Sequence, residues 1–62
     1  MSIESILLLA KDDSQAMREL ACTRFELWQR AVKLSRLIPN GLNRAQSAEV
    51  LARIMQIYVG VN

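Results

Sequence analysis

Pro39-Asn40-Gly41 decides the fold, because it is the only hard break in the chain. The 38 residues before it contain no glycine or proline, and the next glycine is Gly60. Apolar residues recur at helical spacing on both sides of the break. A proline ends the preceding helix, and Asn-Gly readily supplies the positive φ angles of a tight reversal. The sequence therefore predicts an all-α protein, a helical hairpin with its turn at 39–43.

The same spacing places three helices, with a short N-terminal one before the hairpin. The predicted helices run over residues 2–11, 14–37 and 44–59. Ser2 is the expected N-cap of the first helix. Asn43 and Gln46 have the spacing of a capping box at the start of the third, and Gly60 suits the left-handed position after its end.

The boundary between the first two helices rests on Asp12-Asp13-Ser14. Asp and Ser compete with the helix backbone for hydrogen bonds and therefore prefer caps to helix interiors. Asp12 and Gln15 also have capping-box spacing. We favour a break at these residues, and the alternative is one helix that runs straight through them.

The size of the chain limits how it can stabilise itself. At 62 residues it fits one small helical domain, 1–62, and such a core rarely supplies more than about 3–5 kcal/mol. One cysteine, Cys22, allows no intrachain disulfide, and the absence of histidine removes the usual zinc combinations. Because 52% of the residues are hydrophobic, the chain is not expected to be disordered. Association with another chain remains as the route to stability.

The apolar faces are wider than a two-helix hairpin can cover. On a helical wheel, apolar residues occupy about two-thirds of the third helix, so this helix needs at least two neighbours. The N-terminal segment could fold back and complete a compact three-helix unit. We favour the alternative, in which two hairpins pair as a homodimer and form a helical bundle.

The expected protein interface uses the apolar faces of all three helices. Trp28 and Tyr58 lie on these faces and are expected to be core or interface anchors. The full predicted set is Ile3, Ile6, Leu7, Trp28, Val50, Ile54, Ile57 and Tyr58.

A basic cluster near the end of the second helix consists of Arg30, Lys33 and Arg36. These residues could contact the phosphates of a nucleic acid. The favoured interpretation is a solvated helix end, where positive charge is stabilised by the helix dipole. The net charge of the chain is only +2, which is weak evidence for a nucleic-acid partner.

Two further residues have open interpretations. Cys22 falls on the polar face of the predicted second helix, and a nucleophilic role would want a neighbouring base that this chain lacks. Arg24 interrupts the apolar stripe of that helix. It could reach water past a shorter neighbour, form an interhelical ion pair that fixes dimer register, or recognise an acidic partner.

The sequence favours an interaction protein over an enzyme. We expect a small non-enzymatic protein–protein interaction module, a regulator, adaptor or inhibitor of the kind that phages and plasmids carry, acting as a helical dimer. The alternative is a nucleic-acid-binding regulator. No residue pattern indicates a catalytic, cofactor or metal site. The longest apolar run, 6–10, is far below the ~20 residues of a membrane span, and we expect a cytoplasmic location.

Overall fold

The computed structural model describes residues 2–38 and 41–60. Within these ranges the regular structure is entirely helical, which confirms the all-α prediction. The helices are α1 (Ile3–Glu19), α2 (Arg24–Ser35) and α3 (Arg44–Val59). The predicted bounds of the third helix are confirmed at both ends.

Local capping chemistry explains why the ends of α3 were predictable. The Gln46 amide N–H donates to Asn43 Oδ1 at 2.8 Å, and the Asn43 amide donates to Gln46 Oε1 at 3.0 Å, so the capping box is complete. Gly60 adopts φ +72°, and its N–H donates to the carbonyl of Gln56. Ser2 caps α1, as predicted, by accepting from the Ser5 amide. The predicted roles of Pro39 and Asn40 lie outside the described residues.

The predicted break at Asp12–Ser14 is wrong, and so is the short N-terminal helix. Helix α1 runs through these residues and has 17 residues. Two of the three side chains that looked like caps, Asp13 and Ser14, have other partners. Ser14 Oγ donates to the Lys11 carbonyl one turn back, and Asp13 contacts residues of the other two helices. Asp13 and Ser14 make these hydrogen bonds without ending α1. The preference of Asp and Ser for helix caps therefore did not set the end of this helix.

The true break lies at Leu20–Thr23, so the predicted helix over 14–37 is also wrong. Ala21 adopts φ +54°, its amide donates to the Arg18 carbonyl, and the Cys22 amide donates to the Met17 carbonyl. This bond pattern is a Schellman motif with alanine in the position that glycine usually fills. The next residue, Thr23, then caps α2 by accepting from the Glu26 amide.

The core lies where α3 packs against both α1 and α2, which contact each other less extensively. Small residues, Ala10 in α1 and Ala31 in α2, are fully buried and leave room for close helix approach. The largest fully buried side chains are Ile6, Ile54 and Tyr58. The buried apolar set consists of Ile6, Ala10, Leu27, Ala31, Val50, Ile54 and Tyr58. The N-terminal helix thus covers a face of α3 within the chain itself.

The backbone at Ala21 leads to a test of the α1–α2 break. A residue with a Cβ is destabilised by about 1–2 kcal/mol in the left-handed region, because the Cβ lies too close to a carbonyl oxygen. Glycine has no Cβ and avoids this clash. We expect Ala21→Gly to raise the free energy of unfolding by about 0.5–1 kcal/mol after the larger entropy of the unfolded glycine is included. Urea unfolding followed by far-ultraviolet circular dichroism measures this change.

The matched control for this test is Ala16→Gly in the interior of α1, where Ala16 is exposed. The same chemical change there should lower the free energy of unfolding by about 1 kcal/mol. Two changes of equal sign and size would contradict the left-handed geometry at Ala21.

Candidate interaction surfaces

A polar cluster of Asp13, Arg30 and Tyr58 joins all three helices. Arg30 Nε donates to Asp13 Oδ2 at 2.9 Å, and Arg30 Nη2 donates to Asp13 Oδ1 at 3.3 Å. The Tyr58 hydroxyl donates to the same Asp13 Oδ2. The Asp13 carboxylate of α1 therefore accepts hydrogen bonds from α2 and from α3. It also supplies a hydrogen-bond partner for the hydroxyl of Tyr58, whose side chain is buried in the core.

These contacts shift the ionisation of both acidic groups. The hydrogen bond from Arg30 is the main reason that the pKa of Asp13 lies below its ordinary value, with the Tyr58 hydroxyl acting in the same direction. Burial, followed by the hydrogen bond to the Asp13 carboxylate, raises the pKa of Tyr58. Asp13 is thus held as a carboxylate and Tyr58 as a neutral phenol, which is the pairing that the geometry requires.

The structure places the predicted interface residues in three environments. Ile6, Val50, Ile54 and Tyr58 are buried within the single chain. Their assignment to an exposed interface is therefore corrected, because these side chains already fill the space between the helices. A second group, Ile3, Leu7 and Ile57, is half-buried at the edge of the core, and Trp28 is exposed.

The first exposed apolar surface is the aromatic pair, Phe25 and Trp28 of α2. The two rings stack with their centroids 5.9 Å apart and an interplanar angle of 25°. Both side chains are exposed, because Leu27 and Ala31 face the core and Trp28 lies about 100° around the helix from Leu27. The periodicity identified α2 as amphipathic and placed Trp28 on its apolar face as a core or interface anchor, and the structure leaves the Trp28 ring exposed.

The second exposed apolar surface is an open groove between α1 and α2, which we call the leucine groove. Its apolar walls are Leu9 of α1 with Leu34 and Leu37 at the end of α2. Lys33 and the Asp13–Arg30 pair complete the lining, and the volume is about 300 Å³. Leu9 and Leu37 are both exposed. The N-terminal segment 3–9 was expected to interact, whereas Leu37 was absent from the predicted interface although its apolar character was visible in the sequence.

The predicted basic cluster is divided between two environments. Arg30 is occupied by the Asp13 carboxylate, whose presence also raises the pKa of the guanidinium. Lys33 lines the leucine groove, and Arg36 is exposed at the C-cap of α2. Only Lys33 and Arg36 of the predicted phosphate-contacting set lack an ionic partner within the described part of the chain.

Cys22 and Arg24 lie elsewhere than the sequence indicated. Cys22 belongs to the α1–α2 connection rather than to a helix, is half-buried, and directs its thiol to Met17 Sδ at 3.4 Å. Partial burial and the neighbouring Glu26 carboxylate raise the pKa of the Cys22 thiol, which disfavours the nucleophilic thiolate. Arg24 is the first residue of α2 and is exposed, which agrees with the interpretation that it reaches water.

A wider groove of about 440 Å³ separates α1 from the end of α3. Arg18 of α1 crosses it and donates to the Ile57 carbonyl at 3.3 Å. A cation at the C-terminus of a helix satisfies a free carbonyl and is stabilised by the helix dipole. Arg18 lies so close to Gly60 that a Cβ there would meet Nη2 at 2.7 Å. The arrangement attaches the end of α3 to α1.

Comparison with known proteins adds no relative. The chain has no significant match among protein-family models, curated proteins or solved structures. Over residues 2–38 and 41–60, none of the helices has both the length and the apolar character that crossing a bilayer requires. The same residues hold no group of three Cys, Asp or Glu side chains close enough to bind one metal ion.

Proposed function

We propose that this chain is a small non-enzymatic interaction protein that associates with itself as a helical dimer and acts through protein–protein contacts. The observation that carries this proposal is the amount of apolar surface left over after the core has closed. Among the described residues, six large apolar side chains remain between 41% and 70% exposed, namely Leu8, Leu9, Leu20, Phe25, Trp28 and Leu37.

Four of these side chains form shared surfaces rather than isolated points, which is the property that distinguishes interaction sites from ordinary surface residues. Phe25 and Trp28 stack on each other, and Leu9 and Leu37 share the leucine groove. Aromatic side chains such as Phe25 and Trp28 are enriched in the cores of protein interfaces, and contiguous exposed apolar patches mark interaction sites. A chain of 62 residues also gains more from association than a large one, because its own core is small.

Nucleic-acid binding has less support as an alternative. Arg30, the first residue of the predicted basic cluster, is paired with the Asp13 carboxylate, so only Lys33 and Arg36 of that cluster remain available for phosphate contacts. Two cations on a chain of net charge +2 supply little of the phosphate neutralisation on which such binding depends.

Multi-angle light scattering behind a gel-filtration column tests the proposed self-association. We expect a mass near twice the 7.0 kDa of the chain, with a fall toward the monomer mass on dilution. A monomer mass at every concentration would refute self-association.

A further inference from the structure

We infer that a second copy of this chain docks on the leucine groove through the outer face of its own α1, and that the contact is reciprocal. The docking face consists of Glu4, Leu8 and Asp12. Leu8 enters the groove, and the two carboxylates face Lys33 and Arg36 of the other copy. This inference rests on the proposed self-association and adds the surface that carries it.

The docking face is a single line of side chains along α1. Residues four apart lie one above another on a helix, so Glu4 and Asp12 each lie one turn from Leu8. All three are exposed, and Leu8 at 65% is among the most exposed apolar residues of the described chain. The face therefore presents one apolar anchor between two negative charges.

The leucine groove has the opposite charge. Its one carboxylate, Asp13, is neutralised by Arg30 and bound by Tyr58, which leaves Lys33 as the net charge of its lining. Arg36 lies one turn beyond Lys33 and is exposed. Asp13–Arg30 is the one ion pair among the described residues, so within that part of the chain the charges of both surfaces have no ionic partner.

The positions of the two surfaces favour a second copy over a foreign helix. Leu8 of the docking face lies about 100° around α1 from Leu9 of the groove, so the two surfaces are neighbours on the same helix. Complementary patches side by side are what a closed two-fold dimer requires, since each copy then both donates and receives the same contact. A foreign acidic helix would fill the groove but leave Leu8 bare.

Charge reversal tests the inference directly. Lys33→Glu with Arg36→Glu places four negative charges at each contact, and Glu4→Lys with Asp12→Lys places four positive ones. Because facing like charges strongly disfavour association, each double variant alone should dimerise roughly 100-fold more weakly than the wild type. An equimolar mixture of the two variants should form a heterodimer, detected by native mass spectrometry. The fourfold variant, which restores opposite charges within one chain, should again form a homodimer.

A matched control separates specific pairing from net charge. Arg44→Glu with Arg53→Glu changes the net charge by the same amount through exposed residues of α3, and should leave the dimer dissociation constant unchanged. Circular dichroism checks that each variant folds. A wild-type dimer that neither reversal weakens would overturn this inference while the proposed function stands. A wild-type chain that is monomeric throughout would overturn both.

Discussion

Ile54→Ala is expected to leave the chain largely unfolded at 25 °C. Ile54 is fully buried in the middle of α3, the helix that packs against both α1 and α2. Replacing a buried isoleucine by alanine costs about 2–5 kcal/mol, because apolar contacts are lost and a cavity is left between the helices. A core of this size rarely supplies more than about 3–5 kcal/mol in total, so one such cavity consumes most of the stability.

Two companion variants make this prediction measurable even if the alanine variant does not fold. Ile54→Val removes a single methyl group and should lower the free energy of unfolding by about 0.5–1.5 kcal/mol in urea. Ile57→Ala is the matched control, because Ile57 is on the same helix but only half-buried, and its cost should be clearly smaller than that of Ile54→Ala. Equal losses at positions 54 and 57 would show that the core is not centred on Ile54. All variants should be compared at one protein concentration, since association adds to apparent stability.

The sequence predicted α3 well because its boundary signals are local. The side chains of Asn43 and Gln46 each accept a hydrogen bond from the backbone amide of the other residue, within one turn of helix. Gly60 adopts a left-handed conformation, which glycine populates without steric cost. The α1–α2 break was missed because Ala21, a strong helix former, occupies the left-handed position there. One local signal could have located it. Thr23 and Glu26 have capping-box spacing, and Thr23 does cap α2.

The candidate surfaces were less predictable, because periodicity identifies an apolar face but not the edge at which it becomes exposed. Leu27 and Trp28 are consecutive apolar residues of α2, yet the first is buried and the second exposed. Which of the two side chains is buried depends on where α1 and α3 pack, and a local sequence pattern does not specify that packing. Asp13 shows the same limit. Its residue type suggested a cap, whereas its partners are 17 and 45 residues away in the sequence.

Asp13→Ala is expected to lower the free energy of unfolding by about 2 kcal/mol near neutral pH. Most of this loss comes from the Tyr58 hydroxyl, which would be left in the core without an acceptor. The ion pair adds less, because the Arg30 side chain is 46% exposed and water screens its charge. Glu49→Ala is the matched control, since it removes an exposed carboxylate from a helix interior and should change stability by less than about 0.5 kcal/mol.

The pH dependence of this loss distinguishes the carboxylate from a purely steric role. Because the pKa of Asp13 is lowered in the folded chain, its contribution is complete above the ordinary carboxyl value of 3.8 and is lost as the pH falls through the folded value. The difference in unfolding free energy between wild type and Asp13→Ala should therefore shrink on acidification. At the alkaline end the raised pKa of Tyr58 acts in the opposite sense, since the folded chain retains a proton that the unfolded chain releases near 10.0. Stability should fall as the pH rises above that value, and Tyr58→Phe should reduce the fall, because the Cys22 thiol, whose pKa is also raised, accounts for part of it. A wild-type chain whose stability is flat at both extremes would mean that Asp13 and Tyr58 do not join the helices.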